Sequence, residues 1–139
     1  LDELSGMASG RISVTGAPSL SDRPLAQVEM AKAEASLRAA RSWFYQAIDD
    51  AWDSVLAGVP VSVEQTNMLR LSSTHATRVA ADVARTAQML SGMSGVYRTS
   101  PLSRFVNDTQ VITQHAFMGD MTYQNAGAIF FQLRYVRKD

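Results

Sequence analysis

The sequence contains no cysteine, which excludes disulfide cross-links, thiolate nucleophiles and cysteine-ligated metal centres. Its two histidines, His75 and His115, stand too far apart along the chain to suggest a metal pair, and no metal is expected. An excess of one charge is missing too, because 13 basic residues balance 13 acidic ones. The basic residues are spread from Arg11 to Arg137 instead of being gathered into a stripe. That leaves nothing for a phosphate backbone to follow and argues against a nucleic-acid partner. No apolar run approaches the roughly 20 residues that a membrane-spanning helix needs, and the N-terminus lacks the core of a signal peptide. The chain therefore reads as cytoplasmic and without a membrane partner. It opens on Leu1 instead of methionine, which points to a piece of something longer.

What is present is a packed domain. Hydrophobic residues make up 46% and charged residues only 19% of 139 positions, enough for one core and too apolar for disorder. From residue 1 to about 21, Gly6, Gly10, Gly16 and Pro18 break any period. This segment reads as an entry strand, loop or linker with little core. Ser21-Asp22-Arg23-Pro24 then has the grammar of a helix start, a polar cap before a first-turn proline. Leu37, Ala40, Phe44, Ala47, Ala51 and Val55 recur at steps of three or four, with Val28 and Ala31 extending the face backwards. Trp43 and Trp52 are the bulky anchors, as core or interface fillers. Gly58-Val59-Pro60 stops this helix.

Ser62-Val63-Glu64-Gln65 has the form of a capping box, and a second long helix follows along Leu69, Ser72, Ala76, Val79, Val83, Ala87 and Leu90. Asp82 is placed to pair with Arg78 and Arg85. Gly92 and Gly95 release the chain, Ser100-Pro101 starts a third helix, Gly119-Asp120 interrupts it, and a fourth runs from about Met121 to Tyr135. Short connections between four helices predict an all-α, antiparallel up-down four-helix bundle over residues 22–139.

Read in order, Arg23-Pro24-Leu25, Ala31-Lys32-Ala33-Glu34-Ala35, Leu37-Arg38-Ala39-Ala40-Arg41, Leu71-Ser72-Ser73-Thr74-His75-Ala76 and Ser100-Pro101-Leu102-Ser103-Arg104 resemble one known module. It is the C-terminal helical domain of the acyl-CoA dehydrogenase superfamily, in the version found in two-component flavin-dependent monooxygenases. The resemblance implies a larger subunit in which flavin is held between a middle β domain and this helical domain, across a subunit interface. It also implies a reduced, exchangeable flavin, FAD or FMN, supplied by a partner flavin reductase. A homotetramer built through the helices and hydroxylation of a small aromatic or apolar substrate belong to the same expectation. As an isolated domain the chain is expected to be inactive.

Site residues follow by the same resemblance. Gly92, Met93 and Ser94 fall in a turn similar to the family's glycine-containing turn near the flavin phosphates, where the family usually has two adjacent glycines and Met93 takes the second place. Arg104 and Asp108 match an Arg-x-x-x-Asp spacing that puts both on one helix face, and Arg104 joins the cofactor-binding candidates. Where many acyl-CoA dehydrogenases carry a proton-abstracting Glu, this chain has Gln114-His115-Ala116-Phe117-Met118, with no carboxylate. The missing base argues against α,β-dehydrogenation. His115 matches an active-site histidine of the monooxygenase branch, where an imidazole deprotonates a phenol or donates a hydrogen bond that protects a flavin hydroperoxide. From the residues alone, His115 also fits a helix histidine satisfied by a neighbour, His75 a structural one, and Arg104 with Asp108 an ion pair. A divergent acyl-CoA dehydrogenase and a non-catalytic helical assembly module are the alternative readings of the whole.

Overall fold

The computed structural model describes residues 1–8 and 16–132. Among them all regular structure is helical: α1 (Asp2–Ala8), α2 (Pro24–Leu56), α3 (Val63–Ser91), α4 (Pro101–Thr113) and α5 (Asp120–Phe130), with short 3-10 turns between them. The all-α expectation holds, and α2 to α5 are the four expected helices. The expected continuation of the last one through Leu133 to Tyr135 lies outside the described residues.

Helix α2 begins as its proline requires, with Pro24 in the first turn, but Ser21 and Asp22 do not cap it. They close a 3-10 turn (Leu20–Asp22) instead, and extended Arg23 occupies the cap position without a capping bond, its Nε donating to the Pro18 carbonyl at 3.0 Å. The buried line of α2 is Ala26, Ala33, Ala40 and Ala47, joined by Ala51. A repeat of seven keeps one narrow seam against a neighbouring helix, and alanine along that seam lets the two backbones approach closely. Val28 and Val55, expected on the inner face, are 48% and 51% exposed. The stripe drawn through larger side chains drifts off the contact line, which the alanines define. Trp43 meets the His75 ring of α3 at 5.6 Å, whereas Trp52 is 58% exposed.

The turn into α3 is fixed by the expected capping box. The Gln65 N–H donates to Ser62 Oγ at 3.0 Å and the Ser62 N–H to Gln65 Oε1 at 2.9 Å. Gln65 Nε2 also donates to the Asp50 carbonyl and to Ser54 Oγ, each at 2.8 Å, so one side chain caps α3 and ties its start to the end of α2. That makes α2 and α3 an antiparallel pair. Ser72, Val83 and Ala87 of the expected α3 seam are buried, together with Asn67, Thr74 and Ala81 at another spacing of seven.

Helix α4 lies back along the C-terminal half of α3, where Gln88 reaches Ser103 and Arg85 reaches Gln110, both at 3.3 Å. Helix α5 starts beside Arg78 and leads toward the first turns of α3, with Asn125 and Ile129 across a cleft from Val63 and Asn67. Both therefore run opposite to α3, one after the other, and the break between them falls against the middle of α3.

The N-terminal stretch differs from its expectation of little core. It contains α1, whose Leu4 is 3% exposed and packs with Ala87 and Leu102 in the central cluster, with Leu1 and Met7 against it. Gly6 obscured a run of apolar residues at every third position, Leu1, Leu4 and Met7, that marks one helix face.

Candidate functional site

The break between α4 and α5 is where chemistry-bearing residues gather. His115 leaves α4 in an extended conformation and caps a 3-10 turn (Ala116–Met118) by accepting the Phe117 N–H on its Nδ1 at 3.3 Å. Its ring lies 5.6 Å from that of Phe117, and the residue is exposed, not sealed inside its own helices. With Nδ1 occupied as an acceptor, the neutral ring carries its proton on Nε2. The free edge of His115 is thus a hydrogen-bond donor.

Three side chains clamp this turn. Thr74 of α3 and Thr122 of α5 both donate to the Phe117 carbonyl, at 3.1 and 2.7 Å, and both threonines are buried. Arg78 donates to the Met118 carbonyl at 3.2 Å and extends to Asp120 at 3.4 Å. The expected pair of Asp82 with Arg85 forms at 2.8 Å, but Arg78 turns to Asp120. There the carboxylate also faces the positive end of the α5 dipole.

Beside the turn, α3 and α5 diverge to leave a cleft of about 700 Å³. Phe117, Met118, Met121 and Ile129 give it apolar walls, and Asn67 and Arg70 of α3 give it polar ones. His115 does not line this cleft. It touches it through Phe117, whose ring faces the imidazole.

The other expected site residues lie elsewhere. Gly92 ends α3 at φ +58°, where an L side chain is strained, and the positions of Gly92 and Met93 are exposed, with Ser94 half-buried. Arg104, in the first turn of α4, is exposed, 3.9 Å from Asp108, and sits over the Phe105 ring at 5.8 Å. Between this turn and His115 runs the whole of α4, 13 residues, or about 20 Å of helix. The structure therefore does not bring His115 together with Gly92, Met93, Ser94 and Arg104. For a flavin phosphate the turn fits in part: a side chain at Gly92 would meet open space, but the Gly92 N–H already donates to the Met89 carbonyl, so the turn offers room and not that amide. The turn carries no charge of its own, so it offers one wall.

Gly95 closes the turn for a different reason. A Cβ there would collide with Ser91 Oγ and stand 3.0 Å from the Gln88 carbonyl oxygen, while Ser103 Oγ and Gln88 Nε2 donate to the Gly95 carbonyl at 2.6 and 3.3 Å. Gly95→Ala is expected to cost about 1–3 kcal/mol through overpacking. Chemical denaturation of the two proteins side by side measures it, and equal midpoints would contradict the packing argument.

Thr74, Thr122, Arg78 and Arg70 were not foreseen as site residues. Threonine in the seam of a helix was the available signal, since a buried hydroxyl must find an acceptor. Arg70 gave no signal beyond its charge. Among the described residues no group of three or more potential ligands could hold a metal ion, and no helix is long and apolar enough to cross a membrane.

This helical architecture, with a histidine-bearing break between its last two helices, has a family. The C-terminal domain of acyl-CoA dehydrogenases matches residues 1–120, and the chain belongs to that family. It is 76% identical over 131 residues to the indole-3-acetate monooxygenase of Pseudomonas putida, covering 94% of this chain and 34% of that protein. To the indole-3-acetate monooxygenase of Acinetobacter baumannii it is 50% identical over 134 residues, covering 96% and 34% respectively. The chain thus spans about a third of the length of the curated relatives it matches. The crystal structure of 3-HSA hydroxylase from Rhodococcus sp. RHA1 superposes with a TM-score of 0.86 at 24% identity, over 98% of this chain and 36% of that one, which establishes the shared fold.

Proposed function

We propose that this chain is the helical domain of a flavin-dependent monooxygenase that hydroxylates an aromatic substrate, with indole-3-acetate the leading candidate. The observation that carries the reading is His115, exposed at the α4 break with Nδ1 held by the Phe117 amide and Nε2 free to donate. Between Gln114 and Gly119 the break holds no carboxylate. Asp120, just beyond it, is engaged by Arg78. The alternative of a divergent acyl-CoA dehydrogenase therefore lacks its base at this position. The high identity to two indole-3-acetate monooxygenases supports the same choice.

Reduced flavin, when bound, would supply the activation of dioxygen. The residues of this chain would do three things around it. Gly92, Met93 and Ser94 would form the wall at the phosphate end, with Arg104 beside them; His115 would donate from Nε2 at the reacting end; and Phe117 would form the apolar boundary that keeps water out. A flavin reductase partner and a cytoplasmic location complete the reading. The exposed Leu25, Trp52 and Leu56 of α2, at 72%, 58% and 69%, support burial against other domains or copies, as a tetramer would provide.

The test is the full-length protein assayed in parallel with reduced flavin, oxygen and indole-3-acetate, and with acyl-CoA and an artificial electron acceptor. Oxygenated indole product in the first assay supports the proposal. Turnover confined to the second would retire it in favour of the dehydrogenase, and turnover in neither would favour an assembly module.

A further inference from the structure

We infer that the cleft between α3 and α5 is a binding site for an aromatic carboxylate, with Arg70 as the residue that selects the acid. The inference rests on the monooxygenase reading for its choice of ligand, and on the cleft for its geometry. Its walls combine Phe117, Met121 and Ile129 with two polar groups on one face of α3, Asn67 and Arg70, spaced three residues apart so that they stand one above the other.

Among the described residues Arg70, exposed at the cleft, is a cation without a counter-charge. Its neighbours along the helix at three and four residues are Thr66, Asn67, Ser73 and Thr74, none of them acidic, and no ion pair among the described residues includes it. By contrast Arg78, two turns further on, is spent on Met118 and Asp120. Asn67 adds a second unspent donor, since it is 5% exposed and its Nδ2 has no hydrogen-bond partner. A buried amide nitrogen left unpaired is costly, and an acceptor in the cleft would relieve that cost once the Asn67 side chain turns its shielded Nδ2 toward the opening. A carboxylate, with two acceptor oxygens, matches a planar guanidinium and an amide on the same helix face.

The distances suit a ring on a short acidic tether. Arg70 precedes Thr74 by one helical turn, about 6 Å along α3, and Thr74 holds the Phe117 carbonyl. A carboxylate on Arg70 would thus leave an attached aromatic ring beside Phe117, whose other neighbour is the His115 imidazole. The acid end is anchored on α3 and the ring is delivered toward the histidine.

The experiment compares indole-3-acetate with its neutral isostere indole-3-acetamide, by calorimetric binding to the full-length protein, for wild type, Arg70→Gln and Arg70→Lys. The wild type is expected to prefer the acid. Arg70→Gln is expected to weaken acid binding about tenfold while leaving the amide unchanged, and Arg70→Lys to restore part of the loss. Equal weakening of both ligands, or no change in either, would overturn the inference, and a thermal midpoint for each variant separates lost binding from lost fold. Hydroxylation is measured on the same samples. Oxygenation by the wild type with no acid-specific effect at Arg70 would sink this assignment and leave the monooxygenase reading standing, whereas acid-specific binding without oxygenation would do the reverse.

Discussion

Replacing His115 with alanine in the full-length protein is expected to lower hydroxylation turnover by roughly 100-fold, the usual size of losing one aligned donor in a site that stabilises developing charge. The geometry gives this expectation a particular form. Because Nδ1 accepts the Phe117 N–H, the neutral imidazole is committed to donating from Nε2, and a role as proton acceptor would require the ring to surrender that bond. Asparagine is the informative second substitution, for its carbonyl can take over the cap while its amide still donates. His115→Asn should therefore retain distinctly more turnover than His115→Ala. The measurement is product formed per oxygen consumed, since a lost donor leaves oxygen uptake running while product falls. Two variants equally inactive would favour a base over a donor, and His115→Ala within threefold of wild type would remove the residue from the chemistry.

How much of this was readable beforehand depends on the kind of signal each residue gives. The capping box at Ser62 and Gln65, the proline start at Pro101 and the glycine stop at Gly92 are local rules, settled within four residues, and each appears where the sequence places it. The inner face of α2 was only partly legible. Reading large apolar residues at helical spacing put Val28 and Val55 inward, but close packing of α2 on α3 selects for small side chains at the contact, so alanine marks the seam. Helix α1 escaped because Gly6 and the glycines beyond it outweighed Leu1, Leu4 and Met7, whose shared face matters only once Ala87 and Leu102 are there to receive it.

The site divides in the same way. His115 could be picked out by its position relative to a family pattern, and Gly92, Met93 and Ser94 likewise. What no local pattern conveys is that the turn holding Phe117 rests on Thr74 and Arg78, more than 40 positions earlier for Thr74 and fixed only when α4 and α5 lie end to end along α3. The cleft lined by Arg70 is a consequence of that same arrangement, because α5 must diverge from α3 for the space to exist. The separation of the glycine turn from His115 follows from the length of α4.

The double substitution Thr74→Val, Thr122→Val tests whether the clamp on the turn is shared, and it should be the most destabilising change in the described structure outside the apolar core. The Phe117 carbonyl accepts both hydroxyls, so either single variant leaves one donor in place and should cost about 1 kcal/mol. Removing both leaves a carbonyl facing two methyl groups between α3 and α5, and the combined loss should reach about 3 kcal/mol, exceeding the sum of the singles by about 1 kcal/mol. Urea unfolding of the four proteins gives the cycle, with an unchanged slope required before the midpoints are compared. The same double variant should loosen Phe117 and, through it, the ring of His115, so that oxygen uptake in the full-length protein separates from product formation. Strict additivity of the two singles would mean that the hydroxyls serve different acceptors, and the turn would then owe its position to Arg78 alone.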